Sequence, residues 1–479
     1  MLDTILMIAR VLSLIFIFVV IFVERRKPES TIAWVLILTF VPYLGVFLYI
    51  MLADSFRFIT HKREAEKIVN NKKFQHQLKN QLDYLGKINK DKRINEISSL
   101  AMLNMAENNL ITSNNDIKTY SKGIDMFSDL IEDINNAKDY IHVSYYIIKR
   151  DKYGEKLKNT LIKKLKEGIE VRLIYDQIGS KSTSMKFFKD LVKAGGKVEK
   201  FFPSTIWFKP YFNHRNHRKM VIIDGCIGYV GGMNIGKEYC DEDNKLNPWA
   251  DRHIRINGNG VSGLQIQFFK DYLYVSKEKI NFENRDLLNR YFPMVFSSGN
   301  IAMQTVASGP DYKDENIKNA YLKMINNAKE RVYIETPYLI LDDSLKDAIK
   351  IAIKSGIEVN VVIPSIPDKK FVYAVTLSYA RELIDMGVNV YGYKGFMHSK
   401  VVIMDDKIVS IGSANMDRRS FAINFEINAF MYNKEFALEN IELIKRDIKN
   451  SEYLNLTIKK KNKFGLLLEG LFRLLAPIM

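Results

Sequence analysis

The chain has 479 residues, and its 71 Lys+Arg against 55 Asp+Glu give a formal net charge of +16. That excess points to a polyanionic partner, either nucleic acid or an acidic membrane. Two cysteines, Cys226 and Cys240, exclude a disulfide-framework protein and suit a reducing compartment, and no low-complexity stretch interrupts the sequence.

Two apolar runs open the chain. Thr4 to Val23 carries one charge, Arg10, and Ile32 to Ala53 carries none. Each approaches the ~20 residues that cross a bilayer core. A second apolar run follows the first at once and no small-residue cleavage site separates them, which argues against a removable signal peptide. Residues 1–56 are therefore expected to form a two-helix membrane hairpin. Beyond it lie Arg57, Lys62, Arg63, Lys67, Lys72 and Lys73. By the positive-inside rule this stretch, and the body after it, belong in the cytoplasm. Arg25, Arg26 and Lys27 in the short loop oppose that orientation, so a shallow hairpin that does not fully cross is the other option. Residues 57–112 are expected to be a basic, polar, helical connector, with His61 and His76 solvated.

The body repeats itself. Ile134-Asn135-Asn136-Ala137-Lys138 returns as Ile325-Asn326-Asn327-Ala328-Lys329, each between a helical pattern and a strand-like run. Gly168-Ile169-Glu170-Val171 returns as Gly356-Ile357-Glu358-Val359, and Gly195-Gly196-Lys197-Val198 resembles Gly387-Val388-Asn389-Val390. Alternation of helix and strand predicts an α/β sandwich in each half, here bounded at 113–297 and 298–455.

One phrase is shared most closely. His217-Arg218-Lys219-Met220-Val221-Ile222-Ile223-Asp224 leads to Gly231-Gly232-Met233-Asn234, and His398-Ser399-Lys400-Val401-Val402-Ile403-Met404-Asp405 leads to Gly412-Ser413-Ala414-Asn415. The chain has only 7 histidines, so two matched copies signal a catalytic pair. The apolar run after each Lys predicts a buried strand, and residues two apart share a strand face, so each His projects with its Lys. Asn234 and Asn415 follow a Gly-[Gly/Ser] turn where backbone can approach a ligand. Imidazole, ammonium and carboxamide together suit a phosphate. Phosphodiester exchange through a covalent intermediate needs a nucleophile and a proton donor, which two histidines supply. Each imidazole also calls for an orienting carboxylate. Glu426 is downstream of His398, and Asp251 is downstream of His217. His142 and His253 fit buried core positions better than chemistry, and His214 has no counterpart in the second copy. No His/Cys/Asp cluster has metal-ligand spacing.

The tail, 456–479, sets Lys459-Lys460-Lys461-Asn462-Lys463 before a Leu-rich run too short to span. It suits an interfacial helix on anionic lipid, the alternative being a helix docked on the body.

The duplicated H-x-K-x(4)-D phrase with its trailing G-[GS]-x-N resembles the phospholipase D superfamily. The N-terminal region around Arg25-Arg26-Lys27-Pro28, with Asn216-His217-Arg218-Lys219, Trp249-Ala250-Asp251, Ser308-Gly309-Pro310-Asp311 and Asn424-Phe425-Glu426-Ile427-Asn428, is similar to bacterial cardiolipin synthases along essentially the whole chain. The resemblance implies two tandem phospholipase D-like α/β sandwich domains with pseudo-twofold symmetry behind a transmembrane hairpin. It implies that two phosphatidylglycerols give cardiolipin and glycerol in a bacterial cell membrane, without cofactor or metal, with anionic lipid rather than nucleic acid as partner. Homo-oligomerisation is compatible with it. In this scheme His217 attacks phosphorus and His398 serves as acid, then base. Lys219, Lys400, Asn234 and Asn415 hold the phosphoryl charge, and Asp251 and Glu426 orient the histidines. Asp224 and Asp405, part of the catalytic phrase, support the site rather than react. Gly232 replaces Ser413, so a hydroxyl contact to phosphate is available from one half only. Hydrolytic phospholipase D or another head-group transferase is the alternative on the same residues; a nuclease and an inactive membrane scaffold are more distant ones.

Overall fold

The computed structural model describes residues 2–24, 28–52, 96–201, 214–242, 245–458, 469–470 and 472–473. Arg25–Lys27 of the short loop and the basic residues from Arg57 to Lys73, with His61 and His76, lie outside them, as does Lys459–Lys463.

The N-terminal segment folds as helices Leu2–Phe18, Pro28–Phe40 and Pro42–Leu52, with a π-helical turn Val19–Val23 extending the first. The second apolar run is broken at Val41. Pro42 has no N–H for the Leu38 carbonyl one turn back, and the Ser13 hydroxyl donates to that carbonyl instead. Val20, Leu38, Val46 and Tyr49 form a small core here. Tyr49 stacks on Phe16 at 4.6 Å and donates to Glu24 at 2.7 Å. The second of the two apolar runs is therefore two helices rather than one. Among the described residues no helix is long and apolar enough to cross a membrane.

The body is organised by strands. The first half supplies β1 (Thr112–Tyr120), β2 (Tyr140–Tyr145), β3 (Glu170–Asp176), β4 (Lys197–Phe201), β5 (Met220–Ile223), β6 (Ile227–Gly231), β7 (Trp249–Ala250) and β8 (His253–Asn257). The second supplies β9 (Ile301–Ser308), β10 (Arg331–Glu335), β11 (Leu339–Ile340), β12 (Glu358–Pro364), β13 (Asn389–Tyr393), β14 (Phe396–Met397), β15 (Val401–Met404), β16 (Ile408–Gly412), β17 (Met416–Asp417), β18 (Glu426–Tyr432) and β19 (Ser451–Tyr453). Fifteen of them make one sheet in the order β19-β13-β12-β10-β15-β16-β18-β9-β1-β8-β6-β5-β2-β3-β4. Outward from the β1–β9 pair the two arms match strand for strand: β8, β6, β5, β2, β3, β4 against β18, β16, β15, β10, β12, β13. The sequence repeat is therefore a pseudo-twofold in space. The two tandem α/β domains expected from the repeat share a single sheet, because β1 pairs antiparallel with β9.

Each half packs its own core. In the first, helix Gly123–Asn136 buries Met126, Phe127, Leu130, Ile131 and Ile134, on the i, i+3/i+4 spacing of one helix face. In the second, helix Asn316–Asn327 buries Ile317, Ala320, Tyr321, Met324 and Ile325. The end of the expected connector is helical and joins the body. Helix Glu96–Ala106 buries Leu100, Ala101 and Met105 in the second-half core, because its apolar residues recur at helical spacing. The described tail residues depart from an interfacial helix as well. Glu469 and Arg473 pair with Arg381 and Glu382 of helix Lys370–Asp385, and Phe472 packs on Phe371 at 4.6 Å.

Candidate active site

The shared phrase places its ends far apart. β5 and β15 are buried along their whole length near the middle of each arm. His217 and Lys219 precede β5, and Asp224 follows it; His398, Lys400 and Asp405 are arranged likewise around β15. A four-residue strand spans about 13 Å, so the aspartates sit at the opposite end from the histidines. Both adopt positive φ, 52° and 51°. Asp224 accepts from the backbone N–H of Lys138, Asp139 and Tyr140 at 2.8–2.9 Å. Asp405 accepts from Lys329, Glu330 and Arg331 at 2.9–3.2 Å. The catalytic grouping of Asp224 and Asp405 is corrected accordingly: they fasten the starts of β2 and β10.

The histidines meet across the pseudo-twofold. His217 N–H donates to the Phe425 carbonyl at 3.0 Å, and His398 N–H to the Ala250 carbonyl at 2.7 Å. Phe425 and Ala250 each precede a carboxylate residue. His217 Nδ1 is thereby 3.0 Å from Glu426 Oε2, and His398 Nδ1 is 2.6 Å from Asp251 Oδ2. The pairing by sequence proximity, Glu426 with His398 and Asp251 with His217, is corrected. Short cross-half pairings, β7 with β14 and Asn216 with Phe425, make the carboxylate of one half serve the histidine of the other. A carboxylate only accepts, so each Nδ1 carries the proton and each Nε2 keeps its lone pair. Both carboxylates are fully buried, while each imidazole side chain is 12 % exposed.

Electrostatics follow from burial. Desolvation drives the His217 imidazole down to about 4, partly opposed by Glu426, and Lys219 lowers it further. His398 falls to about 3 through desolvation and Lys400, against Asp251. Burial alone would raise the Glu426 and Asp251 carboxyls. The paired imidazole and the nearby lysine outweigh it in each case and hold both below the usual range. Lys219 and Lys400 drop to about 7 and about 8 by desolvation. Each Nζ bonds the carbonyl of its own motif histidine. The site thus holds two neutral imidazoles and two closely spaced ammoniums, an arrangement an anionic phosphate relieves.

The residues assigned to phosphate divide. Asn234 accepts from Ile147 N–H at 3.0 Å and donates to the Tyr239 hydroxyl at 2.8 Å, so its amide braces the loop after β2. The Ser413 hydroxyl donates to Glu426 and accepts from Ile427 N–H at 3.0 Å. Its assignment to phosphate is corrected, because the fully buried hydroxyl positions Glu426. Asn415 is buried with no partner at Oδ1. Opposite Ser413, a Cβ on Gly232 would lie 2.0 Å from Asp251 Oδ1; the shorter carboxylate side chain occupies the place of a serine.

Several neighbours carried no repeated sequence signal. Tyr146 sets its ring 4.7 Å from that of His217. Trp249, Phe396 and Tyr239 lie 5.1, 5.7 and 5.9 Å from His398. Arg218 pairs with Asp271 in full burial and donates to the Glu426 carbonyl at 3.1 Å. His142 and His253 are buried as expected, His142 stacked on Phe268 at 4.5 Å. Among the described residues no group of three or more His, Cys, Asp or Glu is placed to hold a metal ion.

A duplicated sheet with one His-Lys pair from each half defines a phospholipase D-like protein. The family model described as "Cardiolipin synthase, PLD-like domain" matches residues 130–252 and 321–448, and "Phospholipase_D-nuclease N-terminal" matches 11–53. The chain is 41 % identical to the Bacillus subtilis "Major cardiolipin synthase ClsA", covering 98 % of each chain. It is 40 % identical to a Staphylococcus aureus "Cardiolipin synthase", covering 100 % of this chain and 97 % of that one. The crystal structure of phosphatidylserine synthase from Haemophilus influenzae superposes with a TM-score of 0.59 at 16 % identity, over 76 % of this chain and 95 % of that one, a likeness of fold. The chain belongs to the cardiolipin synthase family.

Proposed function

We propose that the protein is a phosphatidyltransferase that converts two phosphatidylglycerols into cardiolipin and glycerol. The observation that carries this is the crossed pair: two neutral imidazoles, each fixed by the other half's carboxylate, flanked by Lys219 and Lys400. His217 Nε2 attacks phosphorus of the first lipid and forms a phosphorus–nitrogen bond as the glycerol oxygen leaves. His398, which takes up a proton from solvent at Nε2 when the anionic lipid binds, gives that proton to the leaving oxygen. An anionic phosphodiester between the rings raises the affinity of His398 for that proton, and the 2.6 Å contact to Asp251 stabilises the imidazolium. The terminal hydroxyl of the second lipid then attacks phosphorus, its proton passes to His398, and the phosphorus–nitrogen bond breaks. Lys219 and Lys400 stabilise the phosphoryl oxygens, with Asn415 contributing an amide.

The N-terminal helices anchor the enzyme in the bacterial cell membrane, with the body in the cytoplasm. Phe18 and Phe40 are 59 % and 77 % exposed there, beside Leu14, Phe22 and Phe47, an apolar surface that suits lipid. The test is purified protein given phosphatidylglycerol alone in detergent micelles. Cardiolipin and free glycerol in equal amounts are expected; phosphatidic acid as the main product would overturn the proposal.

A further inference from the structure

Each orienting carboxylate residue is itself held through its main chain. The Glu426 carbonyl accepts from Arg218 Nε at 3.1 Å, and the Asp251 carbonyl accepts from Arg252 Nη1 at 3.1 Å. We propose that Arg218 and Arg252 are positioning residues that fix the main chain at Glu426 and Asp251 and through it aim His217 and His398. This inference rests on the phosphatidyltransferase reading and deepens it.

The two arginines make the same contact from different places in the sequence. Arg218 stands between His217 and Lys219, where the second copy has Ser399. Arg252 follows Asp251, whereas Ile427 follows Glu426. Each crossed unit thus has an arginine at one of these two positions, and each arginine reaches the carbonyl of the carboxylate residue. Both are buried, and both pair with an aspartate on a helix packed against the sheet. Arg218 bonds Asp271 of helix Val261–Ser276, and Arg252 bonds Asp447 of helix Lys434–Lys449. Asp271 belongs to the first half and Glu426 to the second, Asp251 to the first and Asp447 to the second. Both links therefore cross the pseudo-twofold, as the contacts between histidine and carboxylate do.

A guanidinium carries five N–H donors in a rigid fork, so one side chain bonds a carbonyl and a carboxylate at once. The aspartate balances its charge, and Glu335 lies a further acid 3.6 Å from Arg252. The charges that act on the two imidazoles are those of the motif lysines and the paired carboxylates. The arginines therefore act by placement rather than by field. The 3.0 and 2.6 Å contacts of His217 and His398 depend on where the main chain of the carboxylate residue lies. Misplacing a catalytic group by about 1 Å costs about 10²-fold in rate. Tying Glu426 and Asp251 to a helix behind the sheet holds both carboxylates, and hence both Nε2 atoms, toward one phosphorus.

Arg218 lets charge and position be separated, because glutamine places its amide nitrogen where arginine has Nε. Arg218→Gln keeps a donor for the Glu426 carbonyl and loses the charge; Arg218→Lys keeps a charge for Asp271 and loses Nε. The full chain in detergent micelles is given a phosphatidyl ester of p-nitrophenol, whose nitrophenolate leaves without a proton, and the burst rate is read. Arg218→Lys is expected to slow the burst by about tenfold or more, and Arg218→Gln by less. A purely structural ion pair gives the opposite order, since glutamine leaves Asp271 buried without its counter-charge. That order, or two unchanged rates, overturns the proposal. Arg252→Lys acts through the other histidine and supplies an independent arm should the Arg218 variants fold poorly. It is expected to keep the burst and to lower cardiolipin formation from phosphatidylglycerol by about tenfold. A fall of both in equal proportion, or of neither, overturns the proposal. Wild-type protein that makes phosphatidic acid in place of cardiolipin overturns the transferase reading instead, and the order of the burst rates still decides the arginines.

Discussion

Two copies of one phrase fold into two unequal sites. On one side His217 leans on Glu426, whose carboxylate is held by the Ser413 hydroxyl, with one ring, Tyr146, against the imidazole. On the other, His398 leans on the shorter Asp251, Gly232 leaves room for it, and Trp249, Phe396 and Tyr239 box the imidazole. Burial holds both imidazoles well below the usual histidine range, with the motif lysines adding to it and the paired carboxylates opposing it. Duplication supplied two imidazoles in equivalent places; their surroundings differ in the length of the carboxylate and in the rings packed against them.

The comparison breaks most severely at the histidines. Alanine at His217 or His398 should lower cardiolipin formation at least about 10⁴-fold, measured as initial rate. The Gly232/Ser413 difference comes next. Gly232→Ser should cost about 10²-fold, because its Cβ takes the position of the Asp251 carboxylate. Ser413→Gly removes one hydrogen bond to Glu426 and should cost tenfold or less. Equal losses would mean that the two halves are not distinguished by carboxylate length.

Acidity sharpens the comparison further. Lysine is charged below its value and neutral above it, so discharge of Lys219 near pH 7 and Lys400 near pH 8 should lower kcat/KM for the anionic lipid on the alkaline side. The acid limb should appear only near pH 4, where His217 takes a proton. The smallest effect on chemistry is expected at the far end of the motif strands. Asp405→Asn weakens acceptance from three backbone N–H groups and should lower unfolding free energy by about 1–3 kcal/mol, while activity per folded molecule holds. Denaturant titration beside a rate assay separates the two.

Much of this was legible in the chain. The repeat located both histidines and both lysines, because identical local chemistry leaves identical spacing; the carboxylates follow their own half's histidine at unequal distances, 34 residues for Asp251 and 28 for Glu426. What spacing could not carry was partner choice. Glu426 follows His398 closely in sequence yet serves His217, since the pairings of Asn216 with Phe425 and β14 with β7 cross between halves. Ser413 resembled a phosphate ligand because a hydroxyl after a glycine turn is chemically suited to one; only its burial against Glu426 reveals another use. Pro42 was visible but lost within an apolar average, and it breaks the second helix. Arg218 faces Ser399 in the second copy of the phrase, so repetition could not mark its contacts with Asp271 and the Glu426 carbonyl.

The crossed pairing is tested most directly with a phosphatidyl ester of p-nitrophenol, a leaving group that needs no protonation. Rapid mixing reads the burst of nitrophenolate as the phosphatidyl-histidine forms. Under the crossed arrangement Glu426→Gln should lose the burst, as His217→Ala does, and Asp251→Asn should retain it, as His398→Ala does. The reverse result, with the burst lost in Asp251→Asn and kept in Glu426→Gln, would contradict the account.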